Sequence, residues 1–122
     1  MDIHESGEDY LEKILVLKQR LGSVRSIDLA EEMGYSKPSI SRAVGKLKDD
    51  GYLTVEAGGA LELTEVGREA AEHIYERHNV IAEYLEHVLG VGRETALEDA
   101  CRIEHVISNE AFAKLKENLP KG

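Results

Sequence analysis

The chain has 122 residues, 42% hydrophobic and 32% charged, with no tryptophan and one cysteine, a size for one domain or two small subdomains sharing a long helix. No apolar run approaches the ~20 residues of a membrane span, Met1-Asp2-Ile3-His4-Glu5 has neither the basic nor the apolar region of a secretory signal, and a lone cysteine excludes an intrachain disulfide and fits a reducing cytoplasm. The net charge of −9 weighs against nucleic acid as a sum, yet residues 36–48 hold Lys37, Arg42, Lys46 and Lys48 and no acid, so the distribution leaves DNA open.

Residues 8–21 read as a first helix, with Tyr10, Leu11, Ile14, Leu15, Leu17 and Leu21 as its apolar stripe and Gly22 as its stop. Asp9 and Glu12 lie one turn apart on the other side, where a helix start favours solvated acids. Ser26 is expected to cap a short helix through Met33, closed by Gly34. Ser36 as N-cap and Pro38 in the first turn then open a third helix to about Asp49. Its Ile40, Ala43, Val44 and Leu47 form a buried stripe, and its other face is small, hydroxylic and basic. Such a face can lie close in a major groove, with Arg42 able to reach a base edge and Lys46 a phosphate. The candidate DNA contacts are Ser36, Lys37, Pro38, Ser39, Ser41, Arg42 and Lys46. Taken alone, two amphipathic helices of a bundle with an incidental basic surface would explain the same residues.

The next stretch weighs against that reading. Gly51-Tyr52-Leu53-Thr54-Val55-Glu56 is strand-like, Ala57-Gly58-Gly59-Ala60 is a turn, and Leu61-Glu62-Leu63 alternates again. A hairpin directly after the third helix is the winged variant of the helix-turn-helix, expected over residues 1–64. Thr64 can cap a long helix from Glu65 to about Leu89, with His78 in the middle of its apolar face. A histidine there is ordinarily a core residue, but its place on a connector between two units adds weight to a ligand role. Gly90-Val91-Gly92 ends that helix, another runs from Arg93 to about Ile107, and Ser108 caps a last one that stops before Pro120. Residues 65–122 thus read as a helical second domain without a DNA-binding face. Its leftover apolar positions suggest a second copy as partner.

Within the 93–107 helix, Cys101, Glu104 and His105 stand at i, i+3 and i+4, within an arc of roughly 100°. A thiol, a carboxylate and an imidazole aimed at one point are ordinary ligands for a divalent transition ion. The bland alternative is a small buried cysteine beside a solvated Glu-His pair. A thiol nucleophile or metallohydrolase is disfavoured, because no nucleophile–base–orienter arrangement is legible.

Three stretches together, Ser36-Lys-Pro-Ser-Ile-Ser-Arg-Ala-Val-Gly-Lys-Leu47, Leu63-Thr-Glu-Val-Gly67 and Asp99-Ala-Cys-Arg-Ile-Glu-His-Val-Ile-Ser108, resemble the DtxR/MntR family of iron- and manganese-dependent transcriptional repressors. The resemblance runs from about residue 8 to 119. It implies a mainly α fold, a winged helix-turn-helix followed by an all-helical dimerisation and metal-binding domain. With no room for the SH3-like domain that some members add, the chain is similar to the short form. By position, the resemblance implies metal ligands at Asp9, Glu12, His78, Cys101, Glu104 and His105. Asp9 and Glu12 follow the manganese-responsive branch, whereas Cys101 follows the iron-responsive one. Ala82 and Leu97 stand where the iron branch's ancillary site has a carboxylate and a histidine. A thiolate pulls preference from hard Mn²⁺ toward Fe²⁺, Co²⁺, Ni²⁺ or Zn²⁺. The function implied is a non-enzymatic, cytoplasmic, homodimeric repressor. It would be activated by Mn²⁺ or Fe²⁺, bind a palindromic DNA operator and control metal-homeostasis genes. The competing reading is a winged-helix regulator that answers a small molecule or partner in place of a metal.

Overall fold

The computed structural model describes residues 5–120; Met1–His4, part of the segment inspected for targeting signals, lies outside the described residues. The order is α1 (Glu5–Leu21), α2 (Ser26–Met33), α3 (Lys37–Asp49), β1 (Leu53–Val55), β2 (Leu61–Leu63), α4 (Glu65–Glu83), a π-helical turn (Tyr84–Val88), α5 (Arg93–Ile103) and α6 (Asn109–Glu117). By packing, the chain divides into two compact units, Met1–Glu72 and His73–Gly122, and the division falls inside α4. No described helix is long and apolar enough to cross a membrane.

The first unit is built on the stripes read from the sequence. Leu11, Ile14 and Leu17 of α1, Leu29 of α2 and Ile40, Val44 and Leu47 of α3 are buried in one core with Leu53 and Leu61 of the hairpin. At about 1.5–3 kcal/mol for each large aliphatic side chain buried, this core is the main source of the unit's stability. The hairpin is antiparallel in the register Leu53↔Leu63, Thr54↔Glu62, Val55↔Leu61. Its tip turns at Gly58 and Gly59, both at positive φ, as the Gly-Gly pair predicts. A strut not anticipated from the sequence fixes its root: the Leu61 N–H donates to the Val24 carbonyl at 2.8 Å, tying β2 to the α1–α2 loop.

Four helix ends differ from expectation: α1 begins at Glu5 and not at residue 8, and three others depart further along the chain. At α2 the N-cap is Arg25, not Ser26, and the Asp28 carboxylate accepts the Arg25 N–H at 2.8 Å. Asp28 reaches back to the exposed N–H from the first turn, so a hydroxyl at Ser26 is not needed. The long helix is α-helical only to Glu83; the Leu89 N–H then reaches the Tyr84 carbonyl at 3.2 Å and the Val91 N–H reaches Leu85 at 2.8 Å. That widening, closed by Gly90 at φ 75, changes the hydrogen-bond period and leaves Val88 and Leu89 exposed. Finally, α5 stops at Ile103 and not near Ile107.

The exit from the hairpin explains Leu63-Thr-Glu-Val-Gly67. Thr64 donates its hydroxyl to the Gly51 carbonyl (2.7 Å) and accepts the Gly67 N–H (3.1 Å), so it is the cap expected of it. The first turn of α4 then rests on the Tyr52 carbonyl, and a Cβ on Gly67 would fall 1.8 Å from that oxygen. Only glycine fits there.

The second unit has a small core: Ile81, Ala82 and Ala100 are buried, with Leu85, Leu97, Ile103, Ile107 and Leu115 packed on them. Ala82 and Leu97 are both part of this apolar packing.

Candidate functional site

The outward face of α3 follows from how the helix is anchored. Ile40, Val44 and Leu47 are buried, which turns Lys37, Pro38, Ser41, Arg42 and Lys46 outward, all of them exposed. Ser36 accepts the Ser39 N–H at 3.3 Å as N-cap, and its hydroxyl also bonds the half-buried Ser39 hydroxyl at 3.0 Å. The Arg42 guanidinium leans on that same Ser39 hydroxyl at 3.5 Å. One face therefore carries a capping hydroxyl and a second one bonded to it, two lysines and a braced arginine. This is a set suited to phosphates and base edges.

Asp9 and Glu12 stand on α1 in the first unit, Asp9 partly exposed and Glu12 buried. Between them, Tyr10 is buried, with its ring edge-on to Tyr35 at 6.1 Å between centroids. Burial, then the neighbouring Tyr35 and Asp9, raise the Tyr10 phenol above its ordinary value. Tyr35 immediately precedes the Ser36 cap, a contact that no periodicity argument revealed.

In the second unit His78 of α4 meets the end of α5. His78, Cys101 and Glu104 each offer a ligand atom, all within 4.8 Å of one another. The Cys101 thiol, exposed, lies 3.7 Å from His78 Nδ1. Glu104 is wholly buried, with Oε2 3.1 Å from His78 Nδ1 and Oε1 3.3 Å from His105 Nε2. Both contacts are at ion-pair distance, yet neither carboxylate oxygen accepts a hydrogen bond of good geometry from any described residue. Because α5 ends at Ile103, Glu104 and His105 project from the turn that follows it, and the α-helical dihedrals of Glu104 (φ −57, ψ −27) preserve the local spacing.

These donors fit a divalent transition ion. A buried carboxylate left without hydrogen bonds is costly unless a cation compensates it. Donors about 2.0–2.3 Å from a shared ion stand roughly 3–4 Å apart. His78 Nδ1 lies within that range of both the Glu104 carboxylate and the Cys101 thiol, at 3.1 Å and 3.7 Å. Sulfur, nitrogen and oxygen together suit the borderline first-row metals.

Comparison with known proteins agrees in both halves. The family model "Iron dependent repressor, N-terminal DNA binding domain" matches residues 2–61, and "Iron dependent repressor, metal binding and dimerisation domain" matches residues 64–121. An uncharacterised HTH-type transcriptional regulator of Methanocaldococcus jannaschii is 34% identical over 118 residues, 96% of this chain and 94% of that protein. The HTH-type transcriptional regulator MntR of Geobacillus kaustophilus is 34% identical over 110 residues, 90% of this chain and 77% of its own. Among solved structures, a manganese-dependent transcriptional repressor in complex with manganese superposes with a TM-score of 0.83 at 28% identity. That match covers 91% of this chain and 51% of that one, so the chain spans about half the length of the solved repressor.

Proposed function

The chain belongs to the iron-dependent repressor family, the DtxR/MntR group, and from that membership we propose that it is a metal-activated DNA-binding repressor. In this reading it senses Mn²⁺ or Fe²⁺ and controls metal-homeostasis genes from the cytoplasm. The observation that carries the proposal is the buried Glu104 carboxylate, without a hydrogen bond among the described residues and set between His78 and His105 beside the Cys101 thiol. Residues 1–64 are proposed as the DNA-binding part and residues 65–122 as the dimerisation and metal-binding part.

His78, Cys101, Glu104 and His105 would hold the ion, and Asp9 and Glu12 of α1 join the set on the strength of the family resemblance and their oxygen chemistry. When bound, the ion supplies positive charge against the acidic donors and a common anchor for side chains carried on separate helices. The remaining work belongs to the chain. Glu104, already buried, is held ready to accept a cation. Asp9 and Glu12 lie in α1, whose inner face packs in the same core as α2 and α3, so order imposed on α1 is felt at the recognition helix. Arg42 and Lys46 of α3 meet base edge and phosphate, and offsetting acidic charge lowers the repulsion of a −9 chain from DNA. Val88, Leu89 and Val106 of the second unit are exposed apolar side chains suited to pairing with a second copy, which would present two recognition helices to a palindrome.

The test is operator binding with and without metal. A DNA site selected by the metal-loaded protein from a random pool is titrated by fluorescence anisotropy in Mn²⁺, Fe²⁺ or chelator. Metal is expected to tighten binding about 5- to 150-fold, the usual range of allosteric coupling. Equal affinity in metal and in chelator would overturn the proposal.

A further inference from the structure

Arg77, next to His78 on α4, is buried, and its guanidinium meets no carboxylate among the described residues. It is used instead on the segment that follows α5. Its Nη1 donates to the main-chain carbonyls of Glu104 at 3.2 Å and Ile107 at 3.0 Å, and its Nη2 bonds the Asn109 side-chain oxygen. The guanidinium carbon stands 5.6 Å from the centre of the Phe112 ring, within cation–π range. Carbonyls at a helix C-terminus lack intrahelical donors and carry the negative end of the dipole, so a cation there is doubly matched. One planar fork thereby fastens the end of α5, the turn after it and the start of α6 to α4.

We propose that Arg77 is the positioning residue of the metal centre: by gripping the Glu104 carbonyl it sets where the Glu104 carboxylate stands relative to His78. The inference rests on the proposed function, since it concerns the same donors. Neighbours that orient metal ligands from behind govern affinity strongly, with losses of about 10- to 100-fold on their removal. Burial of a cation solely on main-chain and amide oxygens and an aromatic ring suits orientation better than charge neutralisation. A guanidinium can hold the two carbonyls and Asn109 at once, whereas an ammonium is a point donor.

The experiment uses Co²⁺ as a spectroscopic probe on the full chain, reading both its affinity and the thiolate-to-metal charge-transfer band that reports Cys101. Arg77→Lys retains the charge, and Asn109→Ala removes a single arm of the grip, so at least one variant stays folded even where Arg77→Ala does not. Arg77→Lys is expected to bind Co²⁺ about 10-fold more weakly, with an altered ligand-field spectrum, at a temperature well below its melting point. Asn109→Ala should lose less affinity and Arg77→Ala, if folded, more. Variants that melt lower yet bind Co²⁺ with wild-type affinity and spectrum would overturn the positioning role and leave Arg77 a structural residue. A wild-type chain that binds no Co²⁺, Mn²⁺ or Fe²⁺ would sink the metal reading itself, a result separable from the first.

Discussion

In the proposed site, Cys101 is the side chain on which metal choice would turn. Its sulfur lies 3.7 Å from His78 Nδ1, and a thiolate ligand favours Fe²⁺ over the harder Mn²⁺. Cys101→Ala is therefore expected to weaken Fe²⁺-dependent operator binding by about 10-fold or more and Mn²⁺-dependent binding by less. Anisotropy titrations in each metal decide it; equal losses would exclude selectivity by the thiolate. Tyr10 yields a pH prediction. Its phenol is raised above the ordinary value of 10.0 in the folded chain, so the neutral form is the one the fold prefers. That contribution is complete below pH 10 and is lost as pH rises through the folded value. Urea midpoints at pH 9 and pH 11 should show wild type losing more stability than Tyr10→Phe. At this scale the sequence was half legible. Cys101, Glu104 and His105 were readable from helical spacing, and the structure brings the first and second of them to His78. Arg77 was not, because nothing in periodicity distinguishes a buried arginine from a solvated one; its partners are main-chain carbonyls 27 and 30 residues away.

Among the elements, those with strong local chemistry were the ones the sequence displayed. The Ser36 and Thr64 caps, Pro38 in the first turn of α3, and the Gly58-Gly59 tip all sit where their residue types require. Ser36→Ala is expected to destabilise the first unit by about 1 kcal/mol, read as a shift in urea midpoint. Gly67→Ala should be far worse than its change in helix propensity suggests. A Cβ at 1.8 Å from the Tyr52 carbonyl requires the hairpin exit to move, at about 1–3 kcal/mol or more. A melting curve unchanged from wild type would show that the close approach does not exist in solution. The elements misjudged have separate causes. Arg25 replaces Ser26 as the α2 cap because Asp28 reaches back to it, and α5 stops at Ile103, just before Arg77 takes the carbonyls of Glu104 and Ile107. The π turn at Tyr84–Val88 was invisible for another reason. A single wider turn is a change in main-chain hydrogen bonding, which the pattern of side chains does not encode.

For the molecule as a whole, the contrast between its two units is the governing fact. The first has a broad core of buried aliphatics, whereas the second buries fewer large ones and leaves Val88, Leu89 and Val106 exposed, as Leu21, Ile27 and Val66 are in the first. A unit of this size is marginal alone, so its melting temperature should rise with protein concentration, as scanning calorimetry over a hundredfold range would reveal. The buried Glu104 carboxylate has a consequence for the living cell. Any ligand that binds only the folded chain adds to its stability, and this carboxylate leaves the metal-free fold with something to gain. Proteases act on the open form, so repressor in a metal-starved cell should have a shorter half-life than repressor in a replete one. Pulse-chase labelling with and without a chelator measures that difference. Starvation would then relieve repression twice, once by emptying the repressor and once by thinning its numbers.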